Sequence, residues 1–359
     1  MNPIKVGIIG QGRSGHDIHA KTLSQLPELF EITAVSDPES SFRQRAADAY
    51  GCEAYTDYKQ LLQHKELELI VNASPSHLHV PLTLESLQQG FHVLCEKPLA
   101  RTASEVDALI TAAEQSGKLL TAFQQSRYSP SFQKIMEVIR SGVLGRIVQA
   151  SISFNGFARR WDWQTLQENN GGNLLNTGPH PLDQALQLLG TDEMPQVHCY
   201  MDRVNTFGDA EDYVKLLMHK AGHPVLDIEI SSCDAYPSAI YRIQGQYGGI
   251  SGNTTQLQWR YFAPEQAPHQ TLVRTPLKHP DGSPAYGSET LPWVEEQWEI
   301  PEAQQDMLSY VSRAFYGNLY AALRHGEPLE VTPQKVKQQI AVIEECHRQN
   351  PLSRFTDND

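Results

Sequence analysis

The stretch GIIGQGRSGHD, residues 7–17, decides how the rest of the chain is read. It sets Gly10, Gly12 and Gly15 in the spacing G-x-G-x-x-G, directly after the apolar run IKVGII (4–9). Each glycine has its own reason. The first permits a tight turn, the second lets backbone N–H groups approach a pyrophosphate, and the third lets the next helix pack closely on the strand. The anion then rests at a helix N-terminus, where unpaired N–H groups and the dipole favour it. Gln11, Arg13 and Ser14 fill the rest of the turn and join the three glycines as candidate cofactor-binding residues. Working outward, a second run, EITAVS (31–36), ends at Asp37. A carboxylate placed about 20 residues beyond the turn can accept hydrogen bonds from a ribose 2′-hydroxyl. It also opposes a 2′-phosphate, so NAD is favoured over NADP, with the nearby Arg43 speaking for the phosphate.

Three further runs follow: LIVNAS (69–74), HVLCE (92–96) and KLLTAF (118–123). Helix-like segments separate them, and one carries a capping box, Thr102 with Glu105, and a plausible stop at Gly117. Continuous apolar strands alternating with helices predict a parallel sheet covered on both faces. The expectation is a doubly wound α/β (Rossmann) domain over residues 1–125.

After residue 126 the texture changes. A predicted helix (129–142) leads into IVQASISF, whose alternation suits a strand with one wet face. VHCYMDRV, DYVKLLMHK, VLDIEISS, AIYRIQG and QLQWRYF follow with few helices between them. This predicts an α+β domain over 126–359 with a large, mostly antiparallel open sheet. Residues 262–292, rich in Pro, Gly and His, read as a long loop, and two helices are expected near 302–325 and 333–348.

Composition narrows the function. A net charge of −13 with no basic run argues against nucleic acid and anionic membranes as partners. Five scattered cysteines without C-x-x-C suggest neither zinc nor a disulfide framework. The N-terminus has no signal-peptide pattern, and no stretch approaches the roughly 20 apolar residues of a membrane span. A cytoplasmic protein acting on a small molecule is expected. His16, His19, His77 and His79 have no ligand spacing, so no metal is expected.

In a doubly wound sheet, ligands lie beyond the C-terminal strand ends. Ser74 and Pro75, then Glu96 and Lys97 followed by Pro98, then Gln124 to Tyr128 occupy those ends. Lys97 therefore faces the expected nicotinamide. Together the glycine turn, Asp37, SPSHLH (74–79), GFHVLCEKPLA (90–100) and GGNLLNTGPHPLD (171–183) resemble the Gfo/Idh/MocA family, which includes glucose–fructose oxidoreductase and inositol dehydrogenases. The resemblance spans nearly the whole chain. It implies NAD(P)-dependent oxidation or reduction at a sugar or cyclitol hydroxyl without metal, and a homodimer or homotetramer formed through the C-terminal sheet. It makes Lys97 and His180 the catalytic pair, with Ser74, Pro75, His79 and Glu96 near the cofactor.

The chemistry agrees. Oxidising a secondary alcohol removes the hydroxyl proton as well as hydride, so a base near neutrality serves best. His180 at a helix start should stay neutral, and Lys97 can stabilise a developing alkoxide. Many family members have aspartate four residues before this histidine, where this chain has Asn176, able to hydrogen-bond substrate but not to add charge. Asp183, on the same helix face, is expected to orient the ring. Arg160 and Trp163, within ARRWDWQTL (158–166), could form a sugar-binding wall, and Tyr128 and Arg127 could reach substrate. Two rivals to a dehydrogenase are a glycosidase using NAD for transient oxidation and a non-catalytic NAD-binding regulator.

Overall fold

The computed structural model describes residues 2–355. The apolar runs of the first third become parallel strands: β1 (Ile4–Ile9), β2 (Phe30–Ser36), β3 (Glu53–Tyr55), β4 (Leu69–Asn72), β5 (His92–Cys95) and β6 (Leu120–Ala122). They lie in the order β3-β2-β1-β4-β5-β6. The connections reverse between β1 and β4, which opens a crevice beyond the strand ends. Unbroken apolar sequence means burial on both faces: every residue of β4 is buried, as are Val93, Leu94 and Cys95. The edge strand β3 is short and largely exposed, so no apolar run announces it. The Ala103–Ser116 helix opens on the predicted box, with Thr102 N–H donating to Glu105 Oε2 at 3.0 Å, and ends at Gly117 with φ +64°.

The second sheet has eight strands: β7 (Ile147–Asn155), β8 (Gln196–Asp202), β9 (Tyr213–His219), β10 (Val225–Ser231), β11 (Tyr241–Gly245), β12 (Gly248–Gly252), β13 (Gln256–Tyr261) and, past a small β14–β15 hairpin (Leu277–Lys278, Pro284–Ala285), β16 (Val294–Glu299). Their order is β16-β13-β12-β11-β7-β10-β9-β8. Among the described residues, only β7 and β10 pair in parallel within this sheet. Two of these strands lack a readable pattern. In β12, GGISG, only Ile250 is buried, and β16, VEEQWE, is nearly all exposed. The Pro179–Leu189 helix covers the inner face, burying Leu182, Ala185 and Leu189.

The last two helices, Met307–His325 and Pro333–Gln349, return to the first sheet. Thr121 Oγ1 donates to the Val331 carbonyl at 2.8 Å, Gln124 Nε2 to Gln339 Oε1 at 2.6 Å, and Arg324 pairs with Glu68 at 2.7 Å. β6, the residue Gln124 beyond its end and the start of β4 are thereby fixed against elements carried by the second half of the chain.

Candidate active site

The glycine turn has the geometry its spacing predicts. Gly10 has φ +89°, and a Cβ there would lie 2.5 Å from the Ala73 carbonyl oxygen. At Gly15 a Cβ would lie 1.8 Å from the Gly10 oxygen, so only glycine lets helix and turn meet. Gly12 has nothing within 4 Å of its Cβ position, which leaves the approach that a pyrophosphate needs. The helix after the turn winds in a wide pattern over Arg13–Ala20 and continues as α-helix over Lys21–Ser24. Asp37 is fixed by two backbone donors, Gln11 N–H at 2.7 Å and Glu39 N–H at 2.8 Å. Arg43 donates to the carbonyls of Asp37 and Pro38, while Arg45, which no sequence signal singled out, donates to the Gln11 carbonyl at 2.9 Å. Gln11 is fully buried, with its Oε1 lacking a partner. The open glycine face and the anchored carboxylate fit a dinucleotide.

Next along the sheet, Ser74 follows β4 and donates through Oγ to Asn72 Oδ1 at 2.7 Å, and Pro75 begins a short turn. His79 departs from its expected role. It is buried, with Nδ1 2.7 Å from the Pro98 carbonyl and Nε2 2.9 Å from the Ser74 carbonyl, so both ring nitrogens are engaged by backbone. It can shape a cofactor site only by holding those two loops.

Lys97 stands at the tip of β5 and reaches the second half of the chain. Its Nζ donates to the Asn176 carbonyl at 2.8 Å and lies 3.4 Å from Asn176 Oδ1. Burial lowers the ammonium's pKa, opposed by Glu96 and assisted by the like charges of Arg13 and Arg160. The pyrophosphate turn, the strand tip and the ARRWDWQTL loop therefore converge electrostatically on one amine. Glu96 beneath it is itself buried. Its Oε2 accepts from Lys97 N–H at 3.0 Å and its Oε1 lies 3.1 Å from His19 Nε2, while His19 Nδ1 lies 2.7 Å from the Tyr316 hydroxyl. Burial would raise the Glu96 carboxyl, but the His19 hydrogen bond and charge, with Lys97, outweigh it and hold it at about 2. A buried anion thus fixes the backbone of the lysine.

His180 sits in the first turn of the Pro179–Leu189 helix. Burial, then the charge of Lys97, pushes its imidazole down to about 3, against the opposing pull of Glu96. Its Nδ1 is buried without a partner. The ring is neutral and has an acceptor position to offer. Asp183 does not orient it: its carboxylate forms a buried pair with Arg127, whose Nε donates at 3.0 Å. The same pair removes Arg127 from any substrate role. Tyr128 packs edge-on against Phe315 with centroids 6.3 Å apart, and burial followed by Glu330 raises its pKa. None of its named neighbours belongs to the Lys97 cluster.

Arg160 does join the cluster. It donates to Asp162 at 2.7 and 2.9 Å and to Gln164 Oε1 at 2.6 Å, and Gln164 Nε2 donates to Asn176 Oδ1 at 3.3 Å. Trp163 is half-exposed beside it, and Trp161 is more exposed still. Among the described residues, no group of three or more His, Cys, Asp or Glu is arranged to hold a metal, and no helix is long and apolar enough to cross a membrane.

Comparison with known proteins adds independent findings. Residues 4–124 match the oxidoreductase-family model for an NAD-binding Rossmann fold of Gfo/Idh/MocA type, and residues 132–251 match the Gfo/Idh/MocA C-terminal domain. The chain is 26% identical to a scyllo-inositol 2-dehydrogenase (NADP(+)) of Bacillus subtilis, over 96% of this chain and 93% of that protein. It is 31% identical to a D-glucoside 3-dehydrogenase of Escherichia coli, over 55% of this chain and 58% of that one. Its fold matches a Bordetella pertussis dehydrogenase, WlbA, solved with NADH and UDP-GlcNAcA, at a TM-score of 0.74 and 20% identity, covering 97% of each chain.

Proposed function

Because the chain belongs to the Gfo/Idh/MocA oxidoreductase family, we propose that it is an NAD-dependent dehydrogenase converting a secondary hydroxyl of a sugar, sugar derivative or cyclitol to a ketone without metal. The observation that carries this reading is the Lys97 ammonium donating to Asn176 beside a partly buried, neutral His180 whose Nδ1 has no hydrogen-bond partner. The substrate class is supported by the inositol, glucoside and nucleotide-sugar ligands named for its relatives.

When bound, NAD supplies the hydride acceptor at its nicotinamide. Gly10, Gly12, Gly15 and Gln11, with Arg13 and Ser14, would hold its phosphates, and Asp37 would accept from the adenosine ribose and disfavour a 2′-phosphate. Lys97 donates to the reacting oxygen and stabilises the alkoxide, an effect magnified by the low dielectric of a buried site. His180, kept neutral in the cleft, would take the hydroxyl proton as general base. Asn176 orients the substrate ring, and Arg160 and Trp163 flank it.

The test is a panel of free sugars, glycosides and inositols incubated with NAD and with NADP, followed by absorbance of the reduced cofactor. NADH should accumulate with members of one polyol class, and faster than NADPH. Sugar release from glycosides without net NADH would replace the dehydrogenase with a glycosidase. NAD binding without hydride transfer to any polyol would leave a regulator.

A further inference from the structure

Glu211 is an acidic side chain near the site that the mechanism leaves unused. It lies in the loop before β9, is 2% exposed, and touches the turn that presents Asn176 to Lys97. Its carbonyl accepts from Asn173 N–H at 2.9 Å and its Oε1 from Leu174 N–H at 2.9 Å, the first two residues of the short Asn173–Asn176 helix. Gly172, at φ +101°, brings its backbone flat against the carboxylate: a Cβ there would sit 2.4 Å from Glu211 Oε1. The Asn176 N–H closes the turn on the Gly172 carbonyl at 2.9 Å, and the Asn176 carbonyl receives the lysine at 2.8 Å. Backbone, carboxylate, turn and amine form one connected path.

We propose that Glu211 is a positioning residue for Lys97, its carboxylate fixing the 172–176 turn so that the Asn176 carbonyl holds the ammonium in place. The proposal rests on Lys97 being the residue that meets the reacting oxygen. Burial pushes the Glu211 carboxyl up to about 7, against the Leu174 amide and its own backbone, which lower it. The charged groups facing it are Arg101, which lowers its pKa, its neighbour Asp212, which raises it, and Arg160, which lines the same narrow cleft, and the neutral thiol of Cys346 faces it from the last helix. The turn is therefore held by a group that changes charge near neutrality. An ionised acceptor binds an amide more strongly than a neutral one, so the turn tightens as pH rises through this value.

Amide-resolved NMR of the full chain tests this directly, with Glu211→Gln as the variant that keeps shape and loses charge. In the parent the Leu174 amide proton should titrate with a midpoint near 7. In the variant that titration should vanish, and the Lys97 ammonium signal, assigned by Lys97→Arg, should shift while NAD affinity stays within about twofold. With a polyol substrate, kcat of the variant should fall about tenfold above neutrality, the weight of one charged hydrogen bond, with KM little changed and the parent's rise in kcat across neutral pH flattened. A Leu174 amide that does not titrate, or a Lys97 signal indifferent to the variant, overturns the proposal. The titration and the Lys97 shift without oxidation of any polyol would uphold the positioning and defeat the dehydrogenase reading instead.

Discussion

Lys97 and His180 are asked to do different things, and their replacements should separate those tasks. Lys97→Ala removes the donor to the oxyanion, and His180→Ala removes the base. Each should lower kcat by about 10²- to 10⁴-fold while NAD affinity stays near the parent's. Near-parental turnover in either variant, measured by NADH formation, would void the assignment. Because His180 is held at about 3, well below a free histidine, it stays neutral throughout the working pH range. The sign follows: its neutral burial favours the fold above the ordinary imidazole range, and that contribution is lost as pH falls toward 3. Asp37 allows a cleaner substitution. Asp37→Asn keeps an acceptor for the ribose but removes the charge that repels a 2′-phosphate. The ratio of NADP to NAD affinity should rise on the order of tenfold, given the ~1–4 kcal/mol two contacting charges exchange between water and a protein surface; an unchanged ratio would show that Asp37 does not discriminate. These residues were legible because each sits inside a motif whose spacing has a mechanical reason. His19 and Tyr316 were not. The bonds of His19 to Glu96 and to Tyr316 join residues 77 and 297 positions apart, a proximity that no local pattern encodes.

At the scale of elements, the first sheet was readable, its short exposed edge strand β3 apart, because its strands are buried on both faces and declare it in unbroken apolar runs. The second sheet was readable only where one face is wet and the sequence alternates. β12 consists mostly of glycine and β16 half of glutamate, so neither has a period to find. The edge of β8 shows another kind of hidden order. Gln349 and Asn350, at the end of the last helix, act as a substitute strand: Gln349 Nε2 donates to the Val197 carbonyl at 2.7 Å and its Oε1 accepts from Cys199 N–H at 2.9 Å. Asn350 Oδ1 accepts from Met201 N–H at 3.1 Å and its Nδ2 donates to the Cys199 carbonyl at 3.0 Å. Open strand edges invite pairing with other chains. Gln349→Leu with Asn350→Leu strips these partners, at about 1–3 kcal/mol for each group left unsatisfied in a buried setting. Thermal unfolding should shift down by several degrees and light scattering on heating should rise. An unshifted melt would mean that water replaces both amides without cost.

For the whole molecule, the open question is what the eight-stranded sheet does with its uncovered face. An antiparallel sheet can leave one face in water, and this one carries Gln244, Gln258 and Arg242 there, so exposure alone demands no partner. The arm that leaves β13 is more telling. Between residues 262 and 293 it buries almost nothing of itself: Leu272 is 79% exposed and Tyr286 is 95% exposed, and Val273 and Trp293 add further apolar surface. Exposed apolar groups along one extension suit a contact surface, and a closed two-fold pairing is the commonest way to cover one. The expected outcome is a homodimer or homotetramer built through this sheet and arm, seen by sedimentation at micromolar concentration. Leu272→Asp combined with Tyr286→Asp should shift the distribution toward monomer while leaving the far-ultraviolet circular dichroism intact, since neither side chain is packed on its own chain. A monomer at every concentration in the parent, or an assembly untouched by these charges, would remove the sheet and arm as the interface.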